Sequence, residues 1–190
     1  MRIAVIGTGN IGGTLGRRWA AAGHDVMYGA RSEGGTRPGV APVVSIAAAI
    51  DGADVVLLAI PGPAVADIIG THGGALTGRV VIDAANRIGE PEVNSHTAIA
   101  AGAPGAHYAR AFNTLGWENF ADPPAGAHLM FAADPGARPA TEELIRAVGL
   151  EPAFVGDTKA AGIVDGLLPL WFALVQQSGG NRRLAFRVLR

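Results

Sequence analysis

The sequence predicts an α/β fold: a doubly wound, mostly parallel sheet with helices on both faces and a small C-terminal helical part. Three observations lead there. Short, continuously apolar runs recur along the 190 residues, they alternate with stretches of helical spacing, and glycine or proline marks most of the junctions. Runs that are apolar on both faces belong to strands buried between helix layers. Alternation of strand and helix implies parallel pairing through helical crossovers. The chain is 49% hydrophobic and 16% charged, which sets disorder aside.

Each element has its own signal. Residues 3–6 (IAVI) form a first strand ending at Gly7, and residues 10–22 carry Ile11, Leu15 and Trp19 at helical spacing before the stop at Gly23. A second strand spans 25–28. Val43 and Val44 give a short third strand, followed by a helix to Ile50 with Ser45 as its N-cap. Residues 54–60 (DVVLLAI) are the clearest buried strand. Pro61 stops it, a helix covers 64–69, and the next strand is 79–83. The second half reads as helix 95–101, strands 107–111 and 128–132, helix 138–148, strand 151–155 and a long helix 159–177. Gly179 and Gly180 close that helix before the tail to Arg190.

Composition excludes several function classes. A formal net charge of −1 gives no electrostatic case for nucleic acid or an anionic membrane. Without cysteine there are no disulfides, no thiolate catalysis and no cysteine metal sites. No histidine pair has metal-ligand spacing and no G-x-S-x-G elbow occurs, so no metal is expected. The N-terminus reads as a strand and lacks the sections of a signal peptide, so a cytoplasmic protein is expected. Residues 160–175 are strongly apolar but contain Asp165 and Pro169. They fall short of the roughly 20 clean apolar residues of a spanning helix, and a buried helix is expected. Its stripe of Ile163, Leu167, Leu170, Trp171 and Leu174 suits core packing or a dimer contact.

The strongest functional signal is Gly7-Thr8-Gly9-Asn10-Ile11-Gly12, a G-x-G-x-x-G turn that follows an apolar strand and opens a helix. Gly7 permits the tight turn, Gly9 lets the backbone approach a pyrophosphate, and Gly12 lets the helix pack closely on the sheet. The unpaired N–H groups of the helix face the phosphates. This makes residues 1–156 a Rossmann-type dinucleotide-binding domain. The only boundary visible in the sequence lies near Gly156, with 157–190 as C-terminal helices completing a second-ligand cleft and offering a dimer contact.

The end of the second strand selects the dinucleotide. NAD enzymes place an acid there to accept from the ribose hydroxyl. Here the stretch is Tyr28-Gly29-Ala30-Arg31-Ser32, and Asp25 lies at the wrong end of the strand. Arg31 suits the charge-assisted bonds a 2′-phosphate accepts, with Ser32, Arg37 and Thr8 as further donors, so NADP(H) is expected rather than NAD. An ordinary solvated arginine would have the same sequence.

Three further strand ends face the expected ligand. Ile60-Pro61 is stiff enough to press on the nicotinamide and is equally a helix start with proline in its first turn. Asn86 suits a carboxamide or a substrate carbonyl, or simply forms a turn. Phe112-Asn113-Thr114 is a third small polar cluster. None of the five histidines stands where acid–base chemistry is expected: His107 and His128 begin strands, which puts them at the opposite end of the sheet. A hydride passed between two bound cofactors needs little such help, because proximity and ring alignment carry most of the catalysis.

Taken in order, MRIAVIGTGNIGGTLGRRWAAAGHDVMYGAR, DVVLLAIP, VIDAAN and AFNT resemble the NADPH-dependent reductases of the deazaflavin coenzyme F-420. The tail GDTKAAGIVDGLLPLWFALVQQSGG is similar to that family's closing helix. The resemblance implies hydride transfer between nicotinamide and deazaflavin stacked in a cleft, and a homodimer. It implies that Thr8 and Arg31 hold the 2′-phosphate, that Gly9, Asn10 and Ile11 line the pyrophosphate, and that Ile60 and Pro61 line the nicotinamide. Asn86, Asn113, Leu168 and Trp171 would line the second ligand's pocket. Ala30, Ala85 and Arg87 depart from the family's pattern. Two rival readings use the same fold: an NADPH-dependent reductase of another acceptor (an imine, carbonyl or flavin), and a non-catalytic NADP(H)-binding sensor. The basic tail from Arg182 to Arg190 reads as a solvated end or as a cover on the cleft.

Overall fold

The computed structural model describes residues 1–31 and 43–189. Ser32 and Arg37 lie outside the described residues. The chain runs β1 (Arg2–Ile6), α1 (Asn10–Ala21), β2 (Asp25–Gly29), β3 (Val43–Val44), α2 (Ile46–Ile50), β4 (Val55–Leu58), α3 (Val65–His72), β5 (Val80–Asp83), α4 (His96–Gly102), β6 (His107–Arg110), α5 (Glu118–Ala121), β7 (His128–Ala133), α6 (Arg138–Ala147), β8 (Glu151–Gly156), α7 (Ala161–Asp165) and α8 (Leu167–Gln177). The eight strands form one sheet in the order β3-β2-β1-β4-β5-β6-β7-β8. Every neighbouring pair is parallel except β6 and β7. The predicted fold class is therefore the observed one, with the order reversing direction between β1 and β4. In open α/β sheets ligands bind at such a reversal.

The period of two along each strand explains the two helix layers. Ile3, Val5, Val55, Leu57, Val80 and Ile82 face one way and pack with Leu15 and Trp19 of α1 and with Leu144 and Ile145 of α6. Ala4, Ile6, Val56, Leu58 and Val81 face the other way, against Ile46 and Ile50 of α2, Ile68 and Ile69 of α3, and Ile99 of α4. Ser45 caps α2 as expected, its hydroxyl accepting from the Ala48 N–H at 3.2 Å.

Four details differ from the sequence reading. The 159–177 helix is broken into a 3-10 turn (Thr158–Ala160), α7 and α8, which meet at Gly166. Pro169 has no N–H to donate to the carbonyl one turn back, and the side chain of Asp165 is held elsewhere. Counted with its 3-10 turn, Thr158–Gln177 reaches 20 residues and is long and apolar enough to cross a membrane. Its buried, ion-paired Asp165 instead docks it on this domain. The apolar stripe is also split: Val164, Leu168 and Trp171 are buried, whereas Ile163, Leu170 and Leu174 are exposed. Finally, His128 is not at the far end of the sheet. Because β7 runs antiparallel to β6, its first residue lies at the end where β1 to β6 finish, and there its N–H donates to the Phe186 carbonyl at 2.8 Å.

Candidate functional site

The glycine turn separates fold requirements from ligand requirements. Gly7 has φ 105°, and a Cβ there would lie 2.3 Å from the Ala59 carbonyl oxygen. A Cβ on Gly12 would lie 2.0 Å from the Gly7 carbonyl oxygen. The protein itself forbids a side chain at both. Gly9 is different. It is extended (φ −66°, ψ −170°), and no atom of the described residues lies within 4 Å of an added Cβ. Nothing among the described residues requires glycine at position 9, whereas a phosphate approaching the backbone would. Gly9 is the N-cap of α1, no side chain caps that end, and its first turn holds no acid. The first N–H groups of α1 thus lack a side-chain partner, the arrangement that suits an anion.

This separation can be tested. Gly12→Ala is expected to lose several kcal/mol of stability by overpacking, in the range of about 1–3 kcal/mol or more, read as a fall in Tm. Gly9→Ala is expected to fold as well as the parent, even gaining up to about 1 kcal/mol from a stiffer unfolded chain, while its NADPH affinity falls at least tenfold in a binding titration. Unchanged affinity in a folded Gly9→Ala protein would remove the phosphate from this turn.

Two clefts flank the turn. The first, about 200 Å³, is lined by Gly7, Ala30, Arg31, Ile46, Ile60 and Pro61, with Asp67 and Ile68 of α3 on its far wall. Arg31 is exposed at the end of β2, and no acid stands on β2 beyond Asp25. These residues fit a 2′-phosphorylated adenosine. Ile60 and Pro61 line this cleft, not the one that holds Asn86. The second, about 160 Å³, is lined by Ile11, Ala84, Asn86, Asn113, Thr114, Leu168, Trp171 and Arg182, among others. It brings together Asn86, Asn113, Leu168 and Trp171, which come from three distant parts of the chain. Ile11, at the start of α1, forms one wall. Trp171 is buried, and its indole N–H donates to the Leu184 carbonyl at 2.9 Å. The Arg182 guanidinium sits 4.9 Å from the Trp171 ring centroid and pairs with Glu118 at 3.1 Å. The start of the basic tail thus forms part of the cleft wall. Arg87 turns to Glu92 at 2.9 Å.

Beneath the second cleft lies a charge cluster that sequence reasoning missed. Arg110, at the end of β6, has no solvent exposure. Its Nε donates to Asp165 Oδ1 at 2.8 Å, and its Nη1 donates to the carbonyls of Asp83 (3.0 Å) and Ala85 (2.5 Å). Its Nη2 donates to Asn86 Oδ1 at 2.5 Å. Asn94 and Asn113 both donate to Asp165, at 2.8 and 3.2 Å. Asp83 is also fully buried, and accepts from the Ser95 N–H (2.7 Å), the Ala85 N–H (3.1 Å) and the Tyr108 hydroxyl (3.1 Å). Burial pushes the Asp83 carboxyl up from its ordinary value, and Arg110 with these donors pulls it back. Burial first, and Asp83 second, hold the Tyr108 hydroxyl well above its ordinary value, so it stays a donor. A signal was present in the sequence: VVID and HYAR each end an apolar strand on a charge, and the charges are opposite. Their register, Asp83 beside Arg110, was not readable.

Phe112 is the only non-glycine residue with positive φ (63°) among the described residues. It is fully buried, edge-on to both Trp19 and Phe120. A left-handed aromatic costs on the order of 1–3 kcal/mol and persists where its surroundings fix it. It turns the chain out of β6 so that Asn113 reaches the cleft.

Residues 2–87 match the family described as NADP oxidoreductase, coenzyme F-420-dependent. The match runs from β1 through the glycine turn and Arg31 to Arg87, which is less than half of the chain. Among solved structures, a protein from Arthrobacter sp. FB24 described as a candidate F-420-dependent NADP reductase is 24% identical, with all of both chains covered and a TM-score of 0.86. A hypothetical protein from Sinorhizobium meliloti is 28% identical over 85% of this chain and 88% of that one, at TM-score 0.73. A reductive aminase from Aspergillus terreus, in complex with NADPH4, cyclohexanone and allyl amine, is 19% identical at TM-score 0.73. That match covers 94% of this chain but only 62% of the aminase. These likenesses bear on the fold, and the chain spans less than two thirds of the aminase.

Proposed function

We propose that this protein transfers a hydride between NADP(H) and the deazaflavin coenzyme F-420. One observation carries the reading: two clefts open on either side of a single glycine turn, one with Arg31 and the other with Asn86, Asn113 and Trp171. A dinucleotide laid across Gly9 would put its 2′-phosphate at Arg31 and its ring toward Asn86, beside room for a second ligand. The family match over residues 2–87 and the candidate reductase from Arthrobacter support the same pairing. With Arg31 holding the 2′-phosphate and Asn86, Asn113 and Trp171 around the rings, the two cofactors would supply the chemistry, exchange of a hydride together with a balancing proton.

The residues around the second cleft suit that division of labour. Asn86, Asn113 and Thr114 are neutral hydrogen-bonding groups, and Trp171 and Leu168 exclude water. The buried acids Asp83 and Asp165 are held by Arg110. Among the described residues that line it, the second cleft has no carboxyl or phenol, which suits an acceptor that needs no proton from the protein. A homodimer fits the exposed apolar groups Ile163, Leu170, Phe172 and Leu174 of the C-terminal helices with Phe154 and Val155 of edge strand β8. Light scattering is expected to give twice the 19.3 kDa chain mass, and the chain mass itself would exclude the dimer.

The deciding experiment is stopped-flow mixing of the protein with NADPH and oxidised deazaflavin. Deazaflavin bleaching coupled to NADPH loss is expected. NADPH binding without transfer to the deazaflavin, but with turnover of an imine, carbonyl or flavin, would replace the deazaflavin by that acceptor. Binding with no acceptor turned over would make the protein a sensor.

A further inference from the structure

Among the described residues that line the second cleft, Arg182 is the one charged side chain; Asn86, Asn113 and Thr114 are neutral. The fold fixes Arg182 in place. Fully buried Asn119 donates from its Nδ2 to the Arg182 carbonyl at 2.8 Å, and the buried Trp171 indole donates to the Leu184 carbonyl at 2.9 Å. The guanidinium is oriented as well. Its Nε donates to Glu118 Oε1 at 3.1 Å, and its Cζ lies over the ring of Trp171, which is itself a wall of the cleft. An arginine and a carboxylate often share two parallel bonds. Here they share one, because Glu118 Oε2 is buried and takes no hydrogen bond. Nη1 and Nη2 have no hydrogen-bond partner among the described residues, and the side chain is 45% exposed. With Nε engaged and one flat face toward Trp171, the guanidinium keeps a two-pronged donor edge. That edge matches a carboxylate or a phosphate.

We propose that Arg182 is the specificity residue of the second cleft: the second substrate carries an oxyanion, a carboxylate or phosphate, that Nη1 and Nη2 bind. Glu118, Asn119 and Trp171 are positioning residues for it. The inference rests on the proposed NADP(H) reading and adds the charge of the substrate class. The dinucleotide's own pyrophosphate is the other source of such an anion, since Ile11 of the glycine turn lines the same cleft.

Calorimetric titration of the NADP+-loaded protein separates the two sources. The probes are oxidised deazaflavin with its phosphate-bearing side chain and the same ring system without it. The charged form is expected to bind at least about tenfold more tightly, the worth of one charge-assisted hydrogen bond. In Arg182→Gln that ratio is expected to fall toward one through the charged form alone, with the Kd of NADP+ unchanged, and Arg182→Lys should keep part of it. Equal binding of both forms by the parent protein would overturn the proposal, as would an unchanged ratio in a folded Arg182→Gln variant. Equal weakening of both forms would also overturn it, leaving Arg182 a packing wall on Trp171. Weaker NADP+ with an unchanged ratio would move the contact to the pyrophosphate. The parent comparison stands even if the variants do not fold. Failure of both deazaflavins to bind would overturn the functional reading, and the proposal with it.

Discussion

An Arg110→Met variant is expected to lose about 3–5 kcal/mol of stability, the usual cost of removing one partner from a buried ion cluster. Arg110 is fully buried and faces two carboxylates, Asp165 at 2.7 Å and Asp83 at 3.4 Å. Methionine fills much of the space but leaves both acids without their cation. It also frees the Asn86 oxygen and the Asp83 and Ala85 carbonyls. The deficit should depend on pH. The folded Asp83 carboxyl lies above its ordinary 3.8, so folding takes up a proton, and stability falls as pH rises from that value through the folded pKa. Arg110 is the largest influence opposing this rise. Without it the folded pKa climbs further, the window widens upward, and the variant suffers most above it. Urea unfolding at pH 8 and pH 5 should therefore show a smaller deficit at the lower pH. A deficit that is equal at both, or larger at pH 5, would contradict the assigned role of Asp83.

Arg31→Ala is expected to weaken NADPH by roughly 10- to 150-fold while leaving NADH nearly unchanged. The lost contact is a charge-assisted hydrogen bond, worth about 1.5–3 kcal/mol. Arg31 is exposed at the end of β2 and lines the first cleft together with Gly7, while Ala30 adds no side-chain donor. An exposed arginine contributes little to stability, so Tm should hold and the effect should appear in cofactor choice alone. Titration with both dinucleotides decides it. Equal loss for NADPH and NADH would place Arg31 outside the 2′-phosphate contact, and no loss for either would return it to solvent.

The contrast between these two arginines shows what the sequence could and could not reveal. The reading of Arg31 is a local one: it follows a strand that follows a glycine turn, and the acid expected near it is missing. The alternation of apolar runs, the positions of Gly7 and Gly12, and the Ser45 cap were legible for the same reason. Each is fixed by neighbours a few residues away, through backbone geometry and periodicity. In the sequence Arg110 looked like one more residue of an unremarkable strand, 107–111. Its role depends on the register that sets β5 beside β6, on the break at Gly166 that turns Asp165 inward, and on helices that come after it in the chain. The reversal of β7, which moved His128 to the ligand end of the sheet, was hidden likewise, since strand direction is decided by pairing and not by composition. By itself the sequence determined the fold class, the glycine turn and the residues at the strand ends. Only the tertiary structure decided which of them share a cleft and which buried charges hold them there, because burial, pairing and electrostatics are properties of contacts between segments far apart in the chain.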